Sequence, residues 1–154
     1  FDVKRRRKHY FEDPLVNVFA EDPDIDFVGV IVVGTPQDNR MKHLVGQRVA
    51  AWLSGMKCDG AVVSADGWGN SDVDFVNTLE QIGRRGISVV GLKFIGKQAN
   101  FVVQNEYTKR VLDINKSVDG RETEIIGENA VAHVDAIKAL AAIKLVIRKH
   151  ATSE

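Results

Sequence analysis

The stretch Phe27-Val28-Gly29-Val30-Ile31-Val32-Val33 is continuous, apolar and β-branched, with no polar side chain to turn toward water. A strand of that kind needs cover on both faces, which is the habit of parallel sheets with helical crossovers. Gly34-Thr35-Pro36-Gln37-Asp38-Asn39 breaks the run. Over residues 40–57, Val45, Val49, Trp52, Leu53 and Met56 fall at helical spacing, and Cys58-Asp59-Gly60 ends that segment. A second apolar run, residues 61–64, follows. Strand, helix and strand together predict a βαβ unit with a right-handed crossover.

The alternation continues. A helix is predicted over residues 72–85, with Val73, Val76, Leu79 and Ile82 as its buried stripe. Gly86 stands where a left-handed C-terminal residue belongs. Residues 87–94 read as a third strand, and Phe101-Val102-Val103, residues 111–114 and Glu124-Ile125-Ile126 as short ones. A last helix is predicted over residues 131–149, with Val134, Ile137, Ala141, Leu145 and Arg148 on one side. The expected fold is α/β: a doubly wound, mostly parallel sheet with helices on both faces. Residues 27–154 form the single domain. Residues 1–26, with Pro14, Pro23 and the basic run Lys4-Arg5-Arg6-Arg7-Lys8-His9, read as an extended N-terminal arm with at most short helical pieces.

Composition narrows the function classes. Lys+Arg and Asp+Glu balance at 21 each, so whole-chain charge gives no reason to expect nucleic acid or an anionic membrane. The basic run fits a solvated face or an acidic partner subunit better than a phosphate backbone. Cys58 is alone, which excludes an intrachain disulfide framework and a cysteine-cluster metal site and fits a reducing compartment. His43, His133 and His150 lie at spacings that define no metal site, so no metal is expected. No apolar run approaches the roughly eighteen residues of a membrane span, and the expected location is cytoplasmic.

The residues with most chemistry lie in Ser64-Ala65-Asp66-Gly67-Trp68-Gly69-Asn70-Ser71-Asp72-Val73-Asp74, at the carboxyl end of the second predicted strand. Ligands of open α/β sheets bind at that edge. Asp66, Asn70, Asp72 and Asp74 are candidate ligand groups. A local alternative takes Ser71 and Asp74 as a capping box at a helix start. Capping leaves Trp68 unexplained, since an indole between two glycines wants a ligand or a partner chain to pack on. The Gly-x-Gly spacing has no third glycine, and the acids would repel phosphate, which argues against a nucleotide-binding regulator. Lys93, ending the third strand, can pair with Asp66 or Asp72 or bind a substrate carboxylate. Cys58 reads as a small buried residue rather than a nucleophile. No nucleophile–base pair, metal cluster or cofactor fingerprint is complete.

Asp59-Gly60-Ala61-Val62-Val63-Ser64, followed by Gly67-Trp68-Gly69-Asn70-Ser71-Asp72-Val73-Asp74, resembles a motif of the pyruvoyl-containing subunits of clostridial amino-acid reductases. These are the substrate-specific component B of glycine, sarcosine and betaine reductases, and D-proline reductase. Trp68 and Ser71 occupy variable positions of that motif. Asp26-Phe27-Val28-Gly29-Val30 matches the family's first strand, so the resemblance runs over residues 20 to 95. Beyond Phe94, the glycine-type relatives turn to a segment rich in Asp, Glu and Tyr. This chain has Lys93-Phe94-Ile95-Gly96-Lys97-Gln98 instead, which with Trp68 favours the D-proline branch.

The resemblance implies the missing reactive group. Family proproteins are cleaved before a Cys, which becomes a covalent pyruvoyl group at the head of the downstream chain. This chain opens at Phe1 with no Met, so the expected pyruvoyl is bonded to Phe1. The implied reaction is reductive ring cleavage of D-proline to 5-aminovalerate. The pyruvoyl ketone draws electrons from the ring C–N bond, a selenolate on a separate selenoprotein subunit attacks Cα, and a dithiol is the electron donor. Implied partners are the N-terminal fragment of the same proprotein, the selenocysteine-containing subunit and a small amino-acid substrate, in a hetero-oligomer. Asn70 and Asp72 are expected to orient the reacting amine or carry protons, Trp68 and Asp66 to wall the substrate, and Lys93 to hold its carboxylate. The alternatives are a non-catalytic paralogue or binding subunit of the same complex, or a glycine, sarcosine or betaine component B subunit.

Overall fold

The computed structural model describes residues 13–65, 69–97, 101, 103–123, 125, 128 and 130–152. Among the described residues the elements run in the order α1 (Pro14–Glu21), α2 (Asn39–Gly55), β1 (Gly60–Ala65), α3 (Asn70–Gly83), β2 (Ser88–Lys93), a 3-10 turn (Glu106–Arg110), β3 (Val111–Asp113) and α4 (His133–Ala151). The strands lie in the order β1-β2-β3 and all run parallel. Register pairs Gly60 with Ser88 and Ala65 with Lys93, and on the other side Gly91 with Val111 and Lys93 with Asp113. Every residue of β2 is buried, as a central strand covered on both faces must be.

Alternation along the strands divides the core. Ala61, Val63 and Val89 face α2 and α3, where Val49, Ala50, Leu53, Phe75, Val76, Leu79 and Ile82 pack together. Gly60 faces the other way, with Ile143 and Ile147 of α4 so close that a Cβ would lie 2.9 Å from Ile147. The result is the expected α/β sheet with helices on both faces. The arm's second half carries one short helical piece. Pro14 occupies the first turn of α1, Asp13 accepts the Leu15 N–H at 2.9 Å, and Val18 packs against Ala136 and Leu140 of α4. Lys144 of α4 then binds Asp22 at 2.6 Å and Asp24 at 3.0 Å. Among the described residues, no helix is long and apolar enough to cross a membrane.

Several expectations fail here. Residues 27–33 are extended but join no strand ladder. Ile31 and Val33 turn inward onto the core, Val28, Val30 and Val32 face solvent, and a cavity of about 1120 Å³ is lined by this segment and β1. Gly29 has a φ of 151°, a backbone state that glycine adopts readily and that breaks a strand's path. The βαβ unit therefore begins one strand later, as β1–α3–β2. Secondly, α2 buries Lys42, Gly46, Val49, Ala50 and Leu53 and leaves Trp52 and Met56 exposed. Gly46 is pressed to α3, where a Cβ would fall 2.2 Å from Asn77 Nδ2, so smallness rather than hydrophobicity selects the contact face. Thirdly, α4 buries Ala136, Ala139, Leu140 and Ile143, and the Val134–Ile137–Ala141–Leu145–Arg148 side is exposed. Phe101 and Val103 are not strand, and Val102 lies outside the described residues. Ile125 is not strand either, and its neighbours Glu124 and Ile126 lie outside them too.

Candidate functional site

The carboxyl ends of β1 and β2 meet the start of α3. Gly69, at φ 65°, turns the chain into that helix and is its N-cap, without a side-chain capping bond. The capping-box expectation is overturned: Ser71 lies inside the first turn, one position after Asn70. The left-handed turn at Gly69 starts the helix two residues too early for Ser71 to cap it. Asp74 is consequently carried one turn along the helix and into the interior.

Two ion pairs fill the space behind this turn. The Lys93 ammonium donates to Asp72, and the side chains keep only 1% and 4% of their surface. Asp72 sits in the first turn of α3, where the helix dipole favours a carboxylate. Lys93 Nζ also lies 5.5 Å from the Phe75 ring centre and 5.7 Å from that of Phe101, and those rings stack at 6.1 Å. A cation held over two aromatic faces and against a carboxylate is well matched to a dry site. The second pair joins Lys42 of α2 to Asp74, with side chains 1% and 8% exposed. Asp74 Oδ1 is buried and has no hydrogen-bond partner, while Thr78 Oγ1 donates to the Asp74 carbonyl at 2.7 Å. Asn77 Nδ2 donates to the Lys42 carbonyl at 3.2 Å, and His43 Nδ1 meets Asn77 Oδ1 at 3.0 Å.

At the rim, exposed Asn70 donates from Nδ2 to Gln37 Oε1 at 3.1 Å, tying the loop after residue 33 to α3. The structure thus brings Asn70, Asp72 and Lys93 to one sheet edge. Asp66, Trp68 and Phe1 lie outside the described residues. The expected pairing of Lys93 with Asp72 is present. Cys58 is half-buried against the core, and burial, then the neighbouring Asp59, pushes its thiol up, which disfavours the thiolate. Among the described residues, no three His, Cys, Asp or Glu side chains converge as metal ligands.

Sequence reasoning missed Lys42. Its signal was positional: residue 42 continues the Gly46, Val49 and Leu53 face, so a lysine there had to be buried and paired.

Residues 4–98 match the model of the glycine/sarcosine/betaine reductase component B subunits. The chain belongs to that family. The matched span contains both ion pairs and the Asp59–Asp74 motif and stops before α4. Within the component B family, the chain is similar to the D-proline reductase proprotein PrdA of Acetoanaerobium sticklandii, at 40% identity over 144 residues. That alignment takes in 94% of this chain and 23% of the proprotein, so the chain spans about a quarter of that relative's length. No solved structure matches the chain significantly.

Proposed function

We propose that this component B family member is the pyruvoyl-bearing subunit of a D-proline reductase, which opens the ring of D-proline to 5-aminovalerate together with a selenoprotein. The observation that carries this reading is the 40% identity to a D-proline reductase proprotein across 94% of the chain. The proposed prosthetic group is a pyruvoyl bonded to Phe1. Asp13, the N-cap of α1, lines the same cavity as Ser64, Ala65 and Ser71. The twelve residues before Asp13 can span up to about 40 Å. A group at the head of the chain is therefore within reach of the carboxyl edge, which supports the assignment. When bound, that group supplies the electron sink for the C–N bond that breaks.

The chain's own residues then have distinct tasks. Asn70, exposed beside Gln37, orients the substrate amine by hydrogen bonding. Asp72, paired with Lys93 at the same edge, orients the reacting amine from the other side. Because Lys93 is buried against Asp72, its task is to fix the position and charge of Asp72 and to set a positive field toward the substrate carboxylate. Trp68 and Asp66, in the adjoining loop, wall the substrate. Partners under this reading are the remaining fragment of the proprotein and a selenocysteine-containing subunit, in a cytoplasmic hetero-oligomer.

The test is formation of 5-aminovalerate from D-proline and a dithiol by the purified complex. Asn70→Ala and Trp68→Ala are each expected to lower kcat by roughly 10- to 100-fold; unchanged turnover removes that residue from the site. A second reading is favoured by the name of the matched family, whose members act in glycine, sarcosine and betaine reductases. Consumption of one of those three substrates, with D-proline untouched, would decide for it.

A further inference from the structure

Helix α4 has two apolar faces. One, with Ala136, Ala139, Leu140 and Ile143, is buried in the molecule. On the opposite side, Val134, Ile137, Ala141 and Leu145 follow one another at intervals of three or four residues, a stripe that itself has the form of a packing surface. Val134, Ile137 and Leu145 are 51%, 48% and 53% exposed. Nothing else among the described residues covers them.

The borders of the stripe say what can cover it. Its exposed charged neighbours on the helix, Lys138 and Arg148, are both basic, and Lys149 and His150 add to them in the last turn. The helix has one acid, Asp135, which is buried and paired with Lys116 at 2.6 Å. A second copy laid on this stripe would bring like charges together. The stripe also holds no Trp, Tyr or Phe, the side chains with which interfacial helices anchor in lipid. A polypeptide with an apolar stripe bordered by carboxylates meets both requirements.

We propose that this face of α4 docks the remaining polypeptide of the chain's own precursor, through an acid-bordered apolar helix. The assignment rests on the reading that the chain is one part of a longer proprotein, as in a relative of which it matches 23%. That polypeptide would be made in equal amount with the chain, and the family match, which stops at residue 98, leaves α4 outside the shared module.

The test co-expresses the two parts of the precursor and measures their association by size exclusion with light scattering. Ile137→Glu and Leu145→Glu, at half-exposed sites, should each weaken the complex about tenfold or more while leaving thermal unfolding of the isolated chain unchanged. Trp52→Glu, on the exposed side of α2, should leave it intact. Hydrogen exchange in the wild-type complex should slow over residues 134–148. A complex that tolerates both α4 variants, one broken by Trp52→Glu alone, or no association of the wild-type parts overturns the proposal. So does a homodimer, or flotation on phosphatidylglycerol vesicles, that Ile137→Glu abolishes. The N-terminal chemistry is read separately: an unmodified Phe1 in a complex that Ile137→Glu dissociates would sink the functional reading and leave this interface standing.

Discussion

On the α2–α3 face of the sheet, Lys42 and Lys93 carry their charges into the interior against Asp74 and Asp72. On the α4 face the layers meet through Ala136, Leu140 and Ile143, and Lys144 reaches Asp22 and Asp24 at the surface. A buried pair must recover the hydration that both ions lose, and apolar residues of equal volume would often hold as well. Two such pairs directly behind the family motif therefore speak for fixed position rather than for stability. The pairs on the α4 side keep their lysines partly in water: Lys116, which holds the buried Asp135, is 28% exposed, and Lys144 is 19% exposed.

The contrast predicts unequal responses to losing one lysine. Lys93→Met strips the buried Asp72 of its cationic partner, and should cost about 3–5 kcal/mol in urea unfolding. Lys42→Met should cost a similar amount. Adding Asp74→Leu should then recover most of the loss, because the buried charge and its unpartnered Oδ1 go together. A double variant no more stable than Lys42→Met would show that the damage is to packing rather than to charge.

A smaller effect is expected at the end of α2. Lys57 takes a φ of 56° in a Schellman turn, with its N–H on the Ser54 carbonyl and the Cys58 N–H on that of Leu53. Glycine fits that conformation without strain, so Lys57→Gly should stabilise by about 1 kcal/mol. A lower melting temperature would contradict the assignment.

The smallest response belongs to the α1–α4 clamp. The Lys144 hydrogen bond holds the Asp22 carboxyl below its ordinary 3.8, so that contribution is present above 3.8 and fades as pH falls through the lowered value. The hydrogen bonds that Lys144 donates to Asp22 and then Asp24 raise it above 10.5, so its share is full below 10.5 and fades as pH rises through the raised value. At pH 7 the clamp is intact. Lys144→Met should speed amide exchange in α1 and leave global unfolding nearly unchanged; equal exchange at pH 7 would show that the clamp does not hold α1.

Much of this was legible from residues. The strand ending at Lys93, the helix after the glycine-rich turn and the left-handed Gly86 all follow from pattern, and Gly86 has φ 75°. Asp72 could be named as a partner for Lys93 because both stand at one sheet edge. The stripes of α2 and α4 were misread for one reason. Pattern weighs the largest apolar side chains, whereas close contact is made by the smallest, Gly46 and Ala50 or Ala136 and Ala139. Residues 27–33 have the composition of a buried strand, but composition does not supply the pairing, and Gly29 turns the path away. Lys42 was overlooked because lysine is so seldom buried.

The central claim is that the chemistry resides on the chain's own N-terminus, with the carboxyl edge as its wall. Intact mass of the chain, isolated from the purified complex before and after borohydride treatment, tests that most directly. A chain heavier than its sequence by one pyruvoyl group, shifted by reduction of a ketone, is the predicted result. A free Phe1 amine, with no reducible carbonyl, in a complex that turns over D-proline would contradict it.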